Sequence, residues 1–389
     1  MRIPLSAPDI SEDDIQAVVD VLRTSRLSMG PKLGEFETAI ADYIGAENAI
    51  AVNSGTSGLH LCLRALGIGE GDEVIVPSFA FIAVANAILQ EGATPVFVDI
   101  ESDTLNLNPS LIEQAITPRT KAILVVHTFG CPADMSSILE IARRHHLLLI
   151  EDACEAFGAE YDAQKVGVLG DVGVFAFYPN KQITTGEGGA IVTQDSRTAN
   201  LIRKLRNQGR DETNEWFSFS EIGFNYRLSD INCALGIGQV RKIETILALR
   251  EEVAKAYSRT LGACPEISLP PLTVSRGKIS WFVYVIRFGL GISLQQRDWI
   301  AEELNRRGIG AGRYFAPIHL QPAYQRLRLK KVSLPMTESI SERTLALPFF
   351  NRIQPEQIEE VCKNLMELSR LTAGAESVIP TKRKIHFAG

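Results

Sequence analysis

The sequence lacks the residue patterns of several protein classes. Its six cysteines form no C-x-x-C pair, and its six histidines show neither H-x-x-x-H nor H-E-x-x-H spacing. A chain of 389 residues can be stabilised by its core without disulfides, so we predict free thiols in a reducing compartment. The histidine spacing gives no indication of a metal site.

Long apolar runs and basic stripes are also scarce. The longest apolar run, residues 79–89, is about half the ~20 residues that a membrane span needs, and Asn86 interrupts it. The N-terminal residues contain no apolar core typical of a secretory signal. A net charge of −6, with only a short KRK cluster at residues 382–384, argues against a nucleic-acid binder. We therefore predict a cytoplasmic protein that binds neither membranes nor nucleic acids.

Short apolar runs alternate with helical periods from residue 49 onward. The runs are residues 49–52, 73–79, 94–100, 121–130, 147–153, 173–178 and 189–193. They are apolar throughout instead of alternating with polar residues, which is typical of strands covered on both faces. This pattern predicts an α/β fold with a mostly parallel sheet between layers of helices.

The length and the later pattern predict a second domain. Residues 231–261 read as one long connecting helix, 281–288 as a strand, and 295–308 as a helix that Gly308 ends. Residues 355–371 read as a final helix, and the tail from about residue 372 has weak periodicity. We predict a large domain over residues 1–245 and a smaller α+β domain over residues 246–389.

Three polar motifs follow predicted strands, where α/β proteins bind ligands. NSGTSG (residues 53–58) is typical of a phosphate cradle at a helix start, although a simple Ser/Thr N-cap explains it too. Asp152 either caps a helix or pairs with a protonated ring nitrogen. Lys181, in a Gly/Thr-rich turn, is either a surface residue or a reactive amine. Taken together, the three motifs supply what pyridoxal 5′-phosphate (PLP) needs: a phosphate site, a pyridinium partner and an amine.

Longer stretches around these motifs resemble the DegT/DnrJ/EryC1/StrS family of sugar aminotransferases, which are fold-type-I PLP enzymes. The resemblance covers nearly the whole chain, and its main segments are residues 53–83, 127–135, 150–193, 223–236 and 316–324. It implies a seven-stranded-type central sheet, PLP as cofactor and pyridoxamine 5′-phosphate (PMP) as its aminated form.

The resemblance also implies roles for individual residues. Lys181 would bond to the cofactor and then move the proton at the substrate carbon, while Asp152 would hold the pyridine nitrogen. The phosphate would be bound by Gly55, Thr56 and Ser57.

Other implied cofactor contacts are less direct. Phe81 would stack on the cofactor ring, unless it packs in the core. Glu155 occupies a position often held by Gln beside the ring hydroxyl. Asn225 would reach the phosphate site of a neighbouring subunit, which implies a homodimer with shared active sites.

The resemblance places Arg227, Tyr314 and His319 on the substrate side. Arg227 suits a diphosphate, although a structural ion pair is the alternative. His319 would contact the sugar or the cofactor, but a satisfied core histidine fits the sequence as well, as it does for His127.

Three positions refine the comparison. Ala176 stands where the family often has a serine that binds the phosphate, so the cradle lacks one hydroxyl. Its loss should weaken cofactor binding by about 0.5–1.5 kcal/mol. Lys181 is retained where a related dehydratase branch has histidine, so transamination is the expected reaction. Glu187 is typical of the branch that acts at C4 of the sugar.

We therefore predict transamination of a UDP-, dTDP- or GDP-linked 4-keto-6-deoxyhexose with L-glutamate as donor, making an amino sugar for a polysaccharide or glycan. One alternative is an inosose or other cyclic ketone as acceptor. The other is a non-catalytic regulatory relative with the same fold, which the presence of Lys181 and Asp152 disfavours.

Overall fold

The structure is a computed structural model that describes residues 2–211, 218–327 and 329–373. The predicted tail lies almost entirely outside these ranges. The α-helices are α1 (Glu12–Leu22), α2 (Pro31–Ile44), α3 (Gly55–Ala65), α4 (Ala83–Gln90), α5 (Met135–His145), α6 (Ser196–Arg206), α7 (Asp230–Arg241), α8 (Ile243–Leu261), α9 (Leu294–Arg306), α10 (Pro322–Gln325), α11 (Pro335–Ser341) and α12 (Pro355–Ala373).

The strands follow the same chain order. They are β1 (Asn48–Val52), β2 (Glu73–Pro77), β3 (Thr94–Val98), β4 (Thr120–Val126), β5 (Leu148–Asp152), β6 (Glu160–Tyr161), β7 (Gln164–Lys165), β8 (Val172–Ala176), β9 (Gly189–Thr193), β10 (Ile267–Ser268), β11 (Gly277–Lys278), β12 (Tyr284–Phe288) and β13 (Thr344–Leu347).

A seven-stranded sheet in the order β1-β9-β8-β5-β4-β2-β3 forms the centre of the fold. Strands β8, β5, β4, β2 and β3 pair in parallel, whereas β9 is antiparallel to both of its neighbours, β1 and β8. The predicted mostly parallel sheet is therefore confirmed. Because β9 runs antiparallel to β8, the two strands form a hairpin, and the loop of this hairpin carries Lys181.

Both faces of this sheet are buried, as the continuous apolar runs predict. Ile75 and Ile123 pack into a core with helices α2, α5 and α7, while Val76 and Leu124 pack into a second core with α3, α4 and α6. Successive side chains of a strand point to opposite faces, so a strand covered on both sides must be apolar at every position.

A three-stranded antiparallel sheet, β10-β12-β13, lies in the C-terminal part. Its core includes residues of α8, α9 and α12, among them Tyr257, Ile300 and Val361. A third small sheet, β11-β6-β7, pairs Gly277–Lys278 with the strand Glu160–Tyr161 of the larger part. Of the described helices, none is long and apolar enough to span a membrane.

The predicted single helix over residues 231–261 is wrong, because the chain forms two helices there. Lys242 separates α7 from α8 with φ −105° and ψ 12°, outside the helical region. Its Nζ donates to Asp14 Oδ2 at 2.5 Å and to the Asp9 carbonyl at 2.9 Å. The apolar periodicity continues across this break, so the sequence does not reveal it.

Two strands are shorter than their apolar runs. The apolar run of residues 121–130 extends beyond β4, which ends at Val126. Phe129 then turns the chain with a positive φ of 57°. The run of residues 281–288 is strand only from Tyr284. Gly308, with φ 79°, follows the end of α9 as predicted.

Candidate active site

A cavity of about 420 Å³ opens at the carboxyl edge of the seven-stranded sheet. Val126, Asp152 and Ala176 are the last residues of β4, β5 and β8, and all three line it. Parallel strands end on one edge of a sheet, which is why residues far apart in sequence meet here.

The start of α3 forms one wall of the cavity. Ser54 caps the helix, and its Oγ accepts the Ser57 N–H at 3.1 Å. The first N–H groups of a helix have no carbonyl partner within it, so those of Gly55 and Thr56 are available to an anion. Gly55 also permits close packing, because a Cβ added there would lie 2.8 Å from both Cys154 Sγ and Ala176 Cβ.

Asp152 presents a buried carboxyl group at the end of β5. Its Oδ1 accepts the Cys154 N–H at 3.0 Å, and the side chain lines the cavity. Burial raises the pKa of the neighbouring Cys154 thiol well above its usual value, and Asp152 acts in the same direction, so this thiol is neutral. Asp152 therefore provides a fixed acceptor in a largely apolar setting.

Lys181 points into the cavity from the loop between β8 and β9. The loop folds on itself, since Lys181 N–H donates to the Tyr178 carbonyl and Thr185 N–H donates to the Phe177 carbonyl. The lysine side chain is only 13% exposed. Its Nζ lies 3.8 Å from Glu155 Oε1 and 4.0 Å from the centre of the Phe282 ring. This geometry excludes the surface-residue interpretation of Lys181.

Glu155 lies beside the lysine as a fully buried acid. Its Oε2 accepts the Phe129 N–H at 2.9 Å. Burial raises the pKa of the Glu155 carboxyl above its ordinary 4.5, Asp152 adds to this, and Lys181 and the Phe129 N–H oppose it. The desolvation of the charged form outweighs the attraction to the lysine.

Aromatic side chains close the remaining sides. They are Phe81, Tyr178, Phe282, Tyr314 and Phe315. Phe81 is 60% exposed, which excludes the alternative that it packs in the core. Phe282, by contrast, is 1% exposed and reaches the cavity with its ring face. A flat apolar ligand can bury both of its faces among these rings.

Four predicted site residues lie outside the lining of this cavity. Ser57 pairs through its hydroxyl with Ser54 at 2.9 Å. Asn225 is exposed, and Arg227 donates to Asn207 Oδ1 at 2.9 Å, an amide partner instead of the alternative carboxylate. His319 is buried against Ser78, with Nδ1 and Oγ 2.7 Å apart. Their proposed roles stay predictions, and the surroundings of His319 fit a satisfied core histidine.

His127 has a structural environment. Ala133 N–H donates to its Nδ1 at 3.1 Å, so the ring proton is on Nε2, which lies 3.0 Å from Glu151 Oε2. Glu151 also accepts backbone N–H groups from residues 167, 169 and 170. His127 and these N–H groups therefore provide the hydrogen bonds that the buried Glu151 carboxylate needs. Glu151 directly precedes Asp152 at the end of β5.

Sequence reasoning missed several residues that line the cavity. Asn180 and Tyr178 adjoin Lys181, so their position in the lysine turn was a usable signal. Ser54 lies within the predicted cradle, so the NSGTSG motif was a usable signal for it as well. Phe282 had no such signal, because it follows Lys181 by about a hundred residues in an ordinary apolar run.

The residues present fit a phosphate-bearing pyridine. The cavity volume is within the 300–1,000 Å³ usual for cofactor sites. The start of α3, the buried carboxylate of Asp152 and the buried amine of Lys181 all line it. No described residue donates to the buried Oδ1 of Asn180. Across the described ranges, no group of three or more His, Cys, Asp or Glu side chains could hold a metal ion.

Known proteins are similar to this chain in both sequence and fold. The profile of the DegT/DnrJ/EryC1/StrS aminotransferase family matches residues 8–366. GDP-perosamine synthase from Caulobacter vibrioides is 42% identical over 361 residues, which cover 92% of this chain and 96% of the relative.

Two solved structures illustrate the match in fold. Spr1654 from Streptococcus pneumoniae in its PMP form is 28% identical with a TM-score of 0.92, and the alignment covers 96% of this chain and 99% of that one. The same protein is known in a PLP form. PseC from Helicobacter pylori, an aminotransferase of pseudoaminic acid biosynthesis, is 30% identical with a TM-score of 0.90, covering 95% and 100%.

Fold and site together define a PLP-dependent aminotransferase that acts on sugars. The chain belongs to the DegT/DnrJ/EryC1/StrS aminotransferase family. Membership confirms the predicted enzyme class and cofactor.

Proposed function

We propose that this enzyme transfers an amino group from L-glutamate to C4 of a nucleotide-linked 4-keto-6-deoxyhexose, and that it works as a homodimer. The observation that carries the proposal is that one buried amine, Lys181, lines a cavity of cofactor size together with the start of α3 and Asp152. GDP is the first nucleotide to test, because the relative named GDP-perosamine synthase is 42% identical over nearly the full length.

Each residue has a task that follows from its surroundings. The N–H groups of Gly55 and Thr56 would hold the cofactor phosphate, and Phe81 would cover the ring. Asp152 would accept a hydrogen bond from the ring nitrogen and keep it protonated. When bound, PLP supplies the electron sink that lets an amino group pass from donor to acceptor.

Lys181 would move the proton in both half-reactions. Its side chain is long and flexible, while the loop between β8 and β9 fixes its backbone. Nζ can therefore take a proton from the substrate carbon and return it. The rings of Tyr314 and Phe315 would exclude water from this step, which prevents loss of the proton to solvent.

Glu187 supports the choice of a sugar acceptor. It is exposed, lines the cavity and carries an acceptor that suits sugar hydroxyl groups. The choice of C4 rests on the resemblance of this position to the branch that acts there. An inosose acceptor offers hydroxyls as well but lacks the nucleotide, so a direct comparison separates the two.

The first test is removal of the amine. Lys181→Ala should lower the rate of amino transfer by about 10²–10⁴-fold or more, because proton transfer loses its carrier. The measurements are 2-oxoglutarate formation and the visible absorption of the PLP-loaded protein before and after L-glutamate. Lys165→Ala is the matched control, since Lys165 pairs with Glu160 outside the cavity. Equal loss of activity in both variants would contradict the proposal.

The acceptor is tested with a panel of ketones. GDP-, UDP- and dTDP-linked 4-keto-6-deoxyhexoses, a 3-keto isomer and an unlinked inosose are supplied at equal concentrations. We expect a nucleotide-linked 4-keto sugar to have the highest kcat/KM. Preferential turnover of the inosose, or of the 3-keto isomer, would overturn the assignment of the acceptor.

A further inference from the structure

The segment of residues 223–228 carries Asn225 and Arg227, and backbone hydrogen bonds hold it extended. Asn53 N–H donates to the Tyr226 carbonyl at 3.0 Å, and Tyr226 N–H donates to the Arg206 carbonyl at 3.0 Å. Asn53 directly precedes the phosphate cradle, so this segment is tied to the residues that begin α3.

Alternate side chains of the segment face opposite directions. Phe224 and Tyr226 stack on each other with ring centres 5.0 Å apart and 8° between planes, and both pack against the core that contains α3. In extended backbone the intervening residues point the other way. Asn225 is accordingly exposed, while Arg227 is half-buried.

His60 of α3 connects these two rings to an ion pair in which the Glu91 side chain is buried and the Arg64 side chain is partly exposed. Its Nδ1 lies 3.0 Å from the Tyr226 hydroxyl, and its ring centre lies 4.8 Å from that of Phe224. Its Nε2 lies 2.6 Å from Glu91 Oε1, and Glu91 Oε2 lies 2.9 Å from Arg64 Nε.

The protonation pattern of this cluster is set by burial. Burial lowers the pKa of His60 below its ordinary value, while Glu91 opposes the shift. In either tautomer the Nδ1 atom of His60 shares a hydrogen bond with the Tyr226 hydroxyl, as donor or as acceptor. His60 therefore ties Tyr226 to helix α3 and, through its contact with Glu91, to the end of α4.

We propose that His60, Glu91 and Tyr226 act as positioning residues, which hold the 223–228 segment so that Asn225 is aimed outward at the cofactor site of a second subunit. The inference rests on the proposed role of Asn225. Helix α3 then serves two sites. Its N-terminus binds the phosphate in the cavity of its own subunit, and about one turn later His60 supports the segment whose Asn225 reaches the partner subunit.

Tyr226→Phe is the test, because it removes only the hydroxyl that His60 holds. The PLP dissociation constant of the full-length protein should rise about 3- to 10-fold, as expected for one hydrogen bond, while kcat at saturating PLP changes less than about twofold. Tyr43→Phe is the matched control, since the Tyr43 hydroxyl bonds Glu244 elsewhere. It should leave PLP affinity unchanged.

A double-mutant cycle shows whether the effect passes through Asn225. In an Asn225→Ala background, Tyr226→Phe should cause no further loss of PLP affinity. A loss that persists there overturns the positioning role, as does a Tyr226→Phe variant with altered thermal stability but unchanged affinity. If Asn225→Ala alone leaves PLP affinity unchanged, the proposed role of Asn225 fails, and so does the positioning inference built on it.

Discussion

At the scale of single residues, the acid beside Lys181 gives a pH signature. Burial raises the pKa of Glu155, so the folded protein binds this proton more readily than the unfolded chain does. The free energy of unfolding therefore falls as pH rises from the unfolded toward the folded pKa. Glu155→Gln should raise the melting temperature of the cofactor-free protein at pH 7, and the gain should shrink toward pH 5.

Glu160→Gln is the control, because its change in stability at pH 7 should have the opposite sign. Lys165 lowers the pKa of Glu160, whose stabilising contribution is present above the unfolded pKa and is lost as pH falls through the folded value. This variant should be slightly less stable at pH 7, by no more than about 1 kcal/mol. Two variants that both lose stability at pH 7 would contradict the environment described for Glu155.

The Phe282 ring beside the amine predicts a second residue effect. The ring lies 4.0 Å from Nζ and limits where the amine can move, so Phe282→Leu should leave Nζ less well placed and lower kcat, by up to about 100-fold. Phe288→Leu, on the same polypeptide run but in the C-terminal core, controls for lost packing. It should lower the melting temperature with little change in kcat.

At the scale of elements, the start of α3 is tightly packed against the strand ends of the site. A methyl group at Gly55 would meet Cys154 Sγ and Ala176 Cβ at 2.8 Å, so Gly55→Ala should displace the helix start. PLP affinity is expected to fall more than about 10-fold, since several N–H contacts shift together. Equilibrium dialysis of the full-length variant measures this.

Gly34→Ala provides the contrasting glycine. It lies within α2, where an added Cβ meets nothing within 4 Å, so alanine should stabilise the helix by up to about 1 kcal/mol and leave PLP affinity unchanged. Unchanged affinity in both variants would show that the α3 start tolerates displacement.

Element type was more predictable than element ends. The strands of the large sheet are continuously apolar, so their existence and burial follow from sequence, and β5 ends at Asp152 as predicted. The separation of α7 from α8 at Lys242 could not be predicted, because it depends on the contact with Asp14 of α1. Tertiary contacts of this kind leave no periodic signal in the chain.

Among the residues of the site, too, some could be predicted from the sequence and others depend on tertiary contacts. Gly55, Thr56, Asp152 and Lys181 were predictable since they follow strands in short polar motifs. Phe282 was not, because only folding brings the C-terminal part against the lysine. The role of Asn225 stays a prediction, since a single chain does not place it on its own cavity.

At the scale of the whole molecule, the proposed homodimer with shared active sites predicts complementation between two defective variants. If Lys181 and Asn225 of each site come from different subunits, a mixed dimer of Lys181→Ala and Asn225→Ala contains one intact site. Random reassociation should then restore about a quarter of wild-type sites. The measurement is amino transfer at limiting PLP, where both parent variants are weak.

Lys181→Ala mixed with Asp152→Ala is the matched control. Both residues line the cavity of the same chain, so no mixed dimer regains an intact site. Recovery in neither mixture would place Asn225 outside the partner's site.

The antiparallel pairing of β8 with β9 has a consequence for how such an enzyme can change over time. Ala176 and Gly189 are paired in the sheet, so the chain leaves and re-enters the fold at adjacent positions. The intervening residues form a closed loop, which Phe177 and Ile183 anchor in the core, whereas Glu187 is exposed. The reactive amine therefore sits on a loop whose buried residues are constrained by the scaffold, and change over time is confined to its exposed positions.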